Sequence, residues 1–333
     1  MRQISLTAMP RAAGKKTAGK DENFMSSVSR FWNGSYAADY AGFALLLLAY
    51  SLIQVLVEPF HRMFSLDNIS IQYPHAAVER VPVIWNVAYS VFLPLCIFFL
   101  WAIILRPGLH KTNVTILGLA ISIMLTTFLT DVVKNSVGRP RPDLIARCKP
   151  RKGTPEHTLI TIGSCTETDH HVLHDGWRSF PSGHSSLAFS GLGYLALFFA
   201  GQMHVFRPRT DLARVLLALA PLVAAALISI SRLEDYRHDV YDVTTGSILG
   251  MLVAYFSYRR YYPMLTSPRC DTPFPSRAEW ASRNGFGKLK DEEARTGSAE
   301  SFDVDDMEDD AEHVPLRDAS RERGRFVGSR SEP

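Results

Sequence analysis

The sequence has few cysteines, and they show no metal-binding or redox spacing. Its four cysteines are scattered without a CxxC pair, which excludes the usual zinc and thioredoxin-type motifs. Cys148 and Cys165 share one loop, and they can form a disulfide if that loop faces an oxidising compartment. Two free thiols are the equal alternative. The net charge of +3 is nearly balanced and says little about partners. We expect no nucleic acid partner, and the sequence leaves the oligomeric state unassigned.

Both ends of the chain lack apolar periodicity. The first 36 residues are polar and basic, without the early apolar run of a cleavable signal peptide. The last 71 residues are rich in proline, serine, glycine and charge, with an acidic cluster at 303–312. Such segments bury too little apolar surface to fold alone. We therefore predict disordered cytosolic tails at 1–37 and 263–333, on either side of a membrane domain at 38–262.

Between the tails, charge is scarce and apolar residues form long runs. A bilayer-spanning helix needs ~20 mostly apolar residues. Six stretches meet or approach this length: Tyr40–Val57, Pro82–Leu105, Asn113–Thr130, Gly183–Met203, Leu212–Ser231 and Asp242–Tyr258. Six such stretches in succession argue against a soluble protein in which each one is a buried helix. The sequence predicts an all-α fold, a six-span transmembrane helical bundle, and the Gly246/Gly250 pair favours close helix packing.

The basic residues beside the spans predict the orientation. Lysine and arginine at the ends of the second, fourth, fifth and sixth spans place both termini in the cytosol by the positive-inside rule. The segment 134–182 then faces the lumen or the extracellular space, although it is itself basic. An anionic ligand or a merely solvated loop explains that charge equally well. Asn68 begins a glycosylation sequon on the same side, and its occupancy is open.

Three polar clusters lie at span ends: Lys134–Pro142, Pro181–His184 and Ser231–Asp242. The first two share the loop between the third and fourth predicted spans, and the last lies between the fifth and sixth. All three are therefore on one side of the membrane, where the topology permits them to meet. We expect the active site at this lumenal or extracellular interface.

The residue types in these clusters suit phosphate chemistry. Lys134, Arg141 and Arg232 supply fixed positive charge, and guanidinium forks match phosphate oxygens. Ser182 has the character of a helix N-cap, and Gly183 leaves its backbone N–H open to an anion at the helix N-terminus. Arg139 is the second choice for the role of Arg141.

Two histidines and an aspartate have the spacing of a nucleophile, its carboxylate and an acid. His238 and Asp242 are four residues apart, so they share a face if a helix begins near them. The carboxylate then accepts the Nδ1–H of His238 and leaves Nε2 free as a nucleophile. His184 can protonate the leaving group. The carboxylate raises the proton affinity of His238, so we expect activity at mildly acid to neutral pH.

Together these motifs resemble the signature of the type 2 phosphatidic acid phosphatase superfamily, the lipid phosphate phosphatases. The matching patterns are Lys134-x6-Arg141-Pro142, Pro181-Ser182-Gly183-His184 and Ser231-Arg232-x5-His238-x3-Asp242. The flanking Arg178-Ser-Phe sequence and the cysteine-containing loop are similar to those of fungal diacylglycerol pyrophosphate phosphatases. The tails fall outside the resemblance.

The resemblance implies a role for each residue. His238 forms a phosphohistidine, Asp242 orients it and His184 protonates the leaving alcohol. The phosphoryl oxygens are held by Lys134, Arg141, Ser182, Gly183 and Arg232. Phosphatidic acid, diacylglycerol pyrophosphate or lysophosphatidic acid is hydrolysed without magnesium or another cofactor, in an endomembrane (vacuole, endoplasmic reticulum or Golgi) or the plasma membrane.

Other functions on the same scaffold stay open. A phosphatase for sphingoid-base phosphates, polyisoprenyl diphosphates or sugar phosphates carries the same motifs. A non-enzymatic transporter or scaffold predicts a degenerate motif, which this sequence does not have. His171 and His174 have nearly metal-like spacing, but we interpret them as part of a polar loop and predict no metal site. Asp131, one turn before Lys134, is a candidate partner for it.

Overall fold

The computed structural model describes residues 35–276, and the regular structure within them is helical. The all-α fold class is confirmed for this range, which contains isolated β-bridges but no strand. Its helices are α1 Ala37–Leu56, α2 Val83–Leu105, α3 Leu109–Val137, α4 Leu144–Cys148, α5 His170–Asp175, α6 Gly183–Gln202, α7 Leu212–Glu234 and α8 Val240–Arg259. Most of the two predicted tails lies outside the described residues.

Four helices are long and apolar enough to cross a membrane, namely α1, α2, α3 and α7. They agree with four of the six predicted spans. Helices α6 and α8 are each 20 residues long, but small and polar residues lower their hydropathy. Most of α6 is buried among its neighbours, so most of its surface contacts protein.

Helix α2 is irregular where it meets α6. Its residues Ala88–Phe92 form a π-helical turn just before Pro94. Proline has no N–H to donate to the carbonyl four residues earlier, which belongs to Ser90. Gly191 of α6 lies against this carbonyl, and a Cβ at position 191 would lie only 1.7 Å from the Ser90 oxygen. The glycine therefore permits the close approach of the two helices.

Helices α6 and α8 approach each other closely near the polar clusters. A Cβ at Gly246 would lie 2.5 Å from the carbonyl oxygen of Ser182, and one at Gly250 would lie 2.3 Å from that of Ser186. These contacts leave no room for a side chain on that face of α8. The glycine pair therefore packs closely, as the sequence predicts, and it sets the start of α6 against the start of α8.

The loop after α3 folds into a small cap with its own core. Trp177 is completely buried there, and the Trp177 indole N–H donates to the Arg62 carbonyl at 2.8 Å. Phe64, Leu144 and Ile160 pack in the same cluster. Cys148 and Cys165 form a disulfide with an S–S distance of 2.00 Å. The bond joins the last residue of α4 to Cys165 and closes the loop between them, so the two cysteines are not free thiols.

The first residues assigned to the C-terminal tail are folded. Cys270 is fully buried, and its carbonyl accepts a hydrogen bond from the Tyr258 hydroxyl at 3.3 Å. The Phe274 N–H donates to the Tyr261 carbonyl at 2.9 Å. The predicted boundary at residue 262 is thus too early, because a segment without apolar periodicity can still pack through single residues such as Cys270.

Replacing Gly246 with alanine tests the α6–α8 contact. We expect Gly246→Ala to lower the melting temperature of the detergent-solubilised protein, because overpacking a tight contact costs about 1–3 kcal/mol. Gly42→Ala is the matched control in α1, where a Cβ meets nothing within 4 Å and alanine favours the helix by roughly 1 kcal/mol. Equal melting temperatures for Gly246→Ala and the wild type would show that the helices are not in close contact.

Candidate active site

One cavity of about 510 Å³ lies where the three polar clusters come together. Six of the predicted site residues line it: Lys134, Arg141, Gly183, His184, Arg232 and His238. The other two, Ser182 and Asp242, are fully buried beside them. The structure therefore brings all eight candidate residues to one place, although they come from three separate parts of the chain.

Direct contacts join the three clusters. The backbone N–H of Ser182 donates to the carbonyl of Asp242 at 2.9 Å. A Cβ at Gly183 would lie 3.5 Å from Cε of Lys134, so the lysine side chain passes the start of α6. Arg141 Nη1 is 3.4 Å from His238 Nε2. The side of the imidazole that carries Nε2 thus faces a guanidinium of the cavity.

The three predicted phosphate-binding cations are almost removed from water. Lys134, Arg141 and Arg232 are 6%, 8% and 1% exposed. Buried charges need partners, and each cation has one. Lys134 Nζ donates to the Arg178 carbonyl at 2.7 Å, and Arg232 forms 2.8 Å contacts with both Glu79 and Asp235. The cations are therefore held in place by the protein before any ligand arrives.

Asp242 does not make the expected hydrogen bond to His238. Nδ1 of His238 lies 3.7 Å from Oδ2 of Asp242 and has no hydrogen-bond partner. Helix α8 begins at Val240, after His238, and Asp239 and Asp242 form a capping box at its N-terminus. The expectation that both residues share one helical face is wrong, because His238 precedes the helix.

The carboxylate of Asp242 instead connects the helix start to two other segments. It accepts hydrogen bonds from Arg139 Nη1 at 2.8 Å, the Ser179 hydroxyl at 2.5 Å and the Asp239 N–H at 3.0 Å. Arg139 also pairs with Asp239 at 2.8 Å and does not line the cavity. Arg139 therefore holds Asp242, and Arg141 is the arginine that reaches the cavity.

The environment of His238 favours its neutral form. Burial, together with the positive charges of Arg141 and Lys134, lowers the pKa of His238 well below its ordinary value. The sequence predicts the opposite direction, because the residue spacing reveals only the nearby carboxylate of Asp242. Neutral imidazole is the nucleophilic form, so His238 is ready to react at neutral pH and should stay so under mildly acid conditions.

His184 lies in the first turn of α6 and lines the cavity opposite the loop before α2. Its Nε2 is 3.1 Å from the Val81 carbonyl oxygen and 3.8 Å from a carboxylate oxygen of Glu79. Both oxygens favour an N–H at that position. Nε2 of His184 therefore carries the N–H that faces these two oxygens.

Sequence reasoning missed two carboxylates of the cavity. Glu79 pairs with Arg232 at 2.8 Å and with Arg237 at 2.9 Å, and it belongs to none of the three clusters. Asp175 pairs with Arg141 at 2.8 Å. Although burial acts to raise the pKa of Asp175, Arg141 and neighbouring arginines hold it below its ordinary value. No local pattern around these two residues predicts a role in the site.

Asp131 has a different partner from the predicted one. It accepts a hydrogen bond from Gln54 and pairs with Arg178 at 3.2 Å, whereas Lys134 turns to the Arg178 carbonyl. Asp131 and Lys134 are one helical turn apart, and this spacing makes Asp131 a candidate partner of the lysine. Arg178, which belongs to the loop after α3, pairs with the Asp131 carboxylate instead.

The histidines of the loop form an aromatic cluster. The rings of His170 and His174 stack with centroids 3.6 Å apart, and His61 Nε2 lies 3.1 Å from His174 Nδ1. Burial, and then the neighbouring histidines, lower the pKa of His174. Within residues 35–276, the one group with metal-ligand geometry is a different and exposed one: Asp67, Glu156 and His157.

Comparison with known proteins gives a consistent result. A sequence profile described as the PAP2 superfamily matches residues 115–264. The "Probable diacylglycerol pyrophosphate phosphatase 1" of Schizosaccharomyces pombe is 40% identical over 245 residues, 73% of this chain and 87% of the relative. "Diacylglycerol pyrophosphate phosphatase 1" of Saccharomyces cerevisiae is 40% identical, covering 63% and 74%. "Lipid phosphate phosphatase 2" of Arabidopsis thaliana is 37% identical, covering 66% and 75%.

Removing the Ser179 hydroxyl tests the network around Asp242. Ser179→Ala takes away a buried hydrogen bond to a charged group, which is worth about 1.5–3 kcal/mol, and we expect a lower melting temperature. Ser136→Ala is the control, since the exposed Ser136 hydroxyl bonds only to its own helix at Val132. A Ser179→Ala protein that melts with the wild type would contradict the assigned network.

Proposed function

Because the chain belongs to the PAP2 superfamily and is a lipid phosphatase, we propose that it releases phosphate from phosphatidic acid, diacylglycerol pyrophosphate or lysophosphatidic acid. The reaction proceeds through a phosphohistidine on His238 and needs no magnesium. One observation carries the proposal: Nε2 of a neutral histidine lies 3.4 Å from Arg141 in a cavity lined by cations. A phosphoryl group held by those cations is next to the nucleophile.

The chemistry takes two steps. His238 Nε2 attacks phosphorus, the bond from phosphorus to the lipid oxygen breaks, and His184 gives a proton to that oxygen. Water then attacks the phosphohistidine, and His184 takes back a proton while the nitrogen–phosphorus bond breaks. Inorganic phosphate leaves, and both histidines return to their starting states. Asp242 positions the segment that carries His238 rather than bonding to its ring.

The phosphate cradle combines side chains with the start of a helix. Positive charge for the phosphoryl group comes from Lys134, Arg141 and Arg232, which all line the cavity. Ser182 is the N-cap of α6, and the N-terminus of this 20-residue helix favours an anion. Gly183 lines the cavity without a side chain. Positioning and charge stabilisation carry most of the catalysis of phosphoryl transfer.

Pairing of the carboxylates supports a reaction without magnesium. Magnesium sites in proteins use free carboxylates and water. In this cavity Asp131 pairs with Arg178, Glu79 with Arg232 and Arg237, and Asp175 with Arg141. The fixed cations therefore already neutralise the oxygen ligands that a divalent ion would use. These cations neutralise the charge of the phosphoryl group, as magnesium does in kinases and ATPases.

The surroundings of the cavity suit a lipid. Val83 and Leu187 belong to its lining, and Val83 is 61% exposed at the start of the apolar helix α2. Trp85 and Tyr89 stack on the same helix with ring centroids 5.8 Å apart. Aromatic residues of this kind favour the interface between water and membrane. A headgroup can enter the cavity while its acyl chains stay beside α2.

We place the protein in a membrane with six spans, formed by α1, α2, α3, α6, α7 and α8. Both termini are cytosolic, and the cavity faces the lumen of the vacuole, endoplasmic reticulum or Golgi, or the exterior. The disulfide between Cys148 and Cys165 supports an oxidising side.

Orientation is tested on sealed membranes. A protease site inserted at the exposed residues 151–153 should be protected in vesicles with the cytosolic side outward and cut after permeabilisation. A tag at the C-terminus should be accessible throughout and serves as the control. Cleavage at 151–153 in intact vesicles would overturn the orientation.

Replacing the nucleophile tests the reaction. Purified wild-type protein in mixed micelles with EDTA should release phosphate from phosphatidic acid or diacylglycerol pyrophosphate, and His238→Ala should reduce the release to background. His157→Ala, an exposed histidine outside the cavity, should keep full activity. Sphingoid-base phosphate, a polyisoprenyl diphosphate and a sugar phosphate complete the panel. Undiminished release by His238→Ala would refute the assignment.

A further inference from the structure

Three guanidinium groups surround the carboxylate of Asp175. Arg141 Nη2 lies 2.8 Å from one oxygen of Asp175, while Arg147 Nη1 and Arg237 Nη1 lie 3.0 and 4.0 Å from the other. Arg147 and Arg237 belong to none of the residues assigned to the phosphate cradle. Both line the same cavity. A second group of cations therefore adjoins the cradle, and Arg141 belongs to both.

The two additional arginines have unused hydrogen-bonding capacity. Nη2 of Arg147 and Nε of Arg237 are buried and have no hydrogen-bond partner. Arg147 as a whole is only 3% exposed. A buried donor without an acceptor costs about 1–3 kcal/mol, and more for a charged group. A ligand oxygen that reaches these nitrogens would supply the missing acceptor, so the pair marks a position that favours an anion.

The wall of the cavity carries an excess of positive charge. Its cationic lining residues are Lys134, Arg141, Arg147, Arg178, Arg232 and Arg237, and its carboxylates are Asp131, Glu79 and Asp175. Asp143 and Asp235 pair with Arg147 and Arg232 from outside the lining. Positive charge is still in excess when both are counted. The excess favours an anionic ligand such as a phosphoryl group, which carries about −1.5 to −2 at neutral pH.

We propose that Arg147 and Arg237, together with Arg141, form a second phosphoryl subsite that holds the inner phosphate of a lipid diphosphate. The proposal rests on the proposed function, since it uses the same cavity and nucleophile. The outer phosphoryl group lies by His238, and Arg141 bridges the two groups. Attack by His238 breaks the bond from the outer phosphorus to the bridging oxygen, and the lipid monophosphate leaves from the second subsite.

A purely structural role for the two arginines predicts a different outcome. Arg147 bonds to Asp143 at 2.9 Å and Arg237 bonds to the Ala76 carbonyl at 3.2 Å, so either could serve only to hold its segment. Loss of such a contact would weaken the hydrolysis of every substrate alike. The ratio of activity on diphosphate and monophosphate lipids separates the two roles, because only a subsite changes that ratio.

The experiment compares diacylglycerol pyrophosphate with phosphatidic acid in mixed micelles. Arg237→Gln removes the positive charge. Arg147→Lys keeps the charge but replaces the guanidinium fork by a single ammonium group. We expect each to lower the ratio of kcat/KM for diacylglycerol pyrophosphate over phosphatidic acid by about tenfold, the size expected for one charged hydrogen bond. Arg151→Gln, an exposed charge of the same loop outside the cavity, should keep the wild-type ratio. An unchanged ratio in Arg237→Gln and Arg147→Lys overturns the subsite.

A binding measurement on the wild-type protein tests the subsite without depending on whether the variants fold. Methylenediphosphonate, which has two phosphoryl groups, should raise the melting temperature at about tenfold lower concentration than methylphosphonate, since it gains the additional charged contacts. Equal effects of the two compounds overturn the proposal. This measurement needs no turnover. Wild-type protein that binds the diphosphonate but hydrolyses neither lipid would therefore refute the proposed function and leave the subsite standing.

Discussion

The close contact between α6 and α8 is the constraint on which the site depends. Gly246 and Gly250 have no side chains, so α8 lies directly against the carbonyl groups of Ser182 and Ser186. This contact sets the N-cap of α6 beside the capping box of α8, where the Ser182 N–H meets the Asp242 carbonyl. The helix start that favours a phosphate and the segment that carries the nucleophile are thereby fixed relative to each other.

Charge balance follows from this arrangement. Helices and loops bring several cations into one nearly buried cavity, and such a concentration of charge is costly unless it is compensated. Glu79 and Asp175 provide the compensation without closing the cavity, since they pair with Arg232 and Arg141 from its wall. Burial, together with the charges of Arg141 and Lys134, lowers the pKa of His238 and keeps its ring neutral. Stability of the empty site and reactivity of the nucleophile thus have a common electrostatic origin.

The sequence predicts the helical fold and the meeting of the three clusters, because apolar runs, helix caps and motif spacing are local signals. It does not predict Glu79, whose pairing with Arg232 joins residues 153 positions apart. It also assigns Asp242 a bond to His238 that the capping box prevents. The pKa of His238 is missed for a related reason, since burial and cations from remote parts of the sequence outweigh the one carboxylate that the spacing reveals.

A single-turnover experiment on His184→Asn protein tests the central claim that His238 is the nucleophile and His184 the acid. The leaving oxygen of diacylglycerol pyrophosphate belongs to a phosphate with a pKa of about 6, whereas that of phosphatidic acid becomes an alkoxide, a far stronger base that needs a proton in order to leave. Only the leaving group of phosphatidic acid needs a proton from His184. The phosphohistidine formed from either lipid needs His184 to activate water for its hydrolysis. The account predicts that phosphate accumulates on His238 from diacylglycerol pyrophosphate and not from phosphatidic acid. Phosphate on another residue, or on none with either lipid, would contradict it.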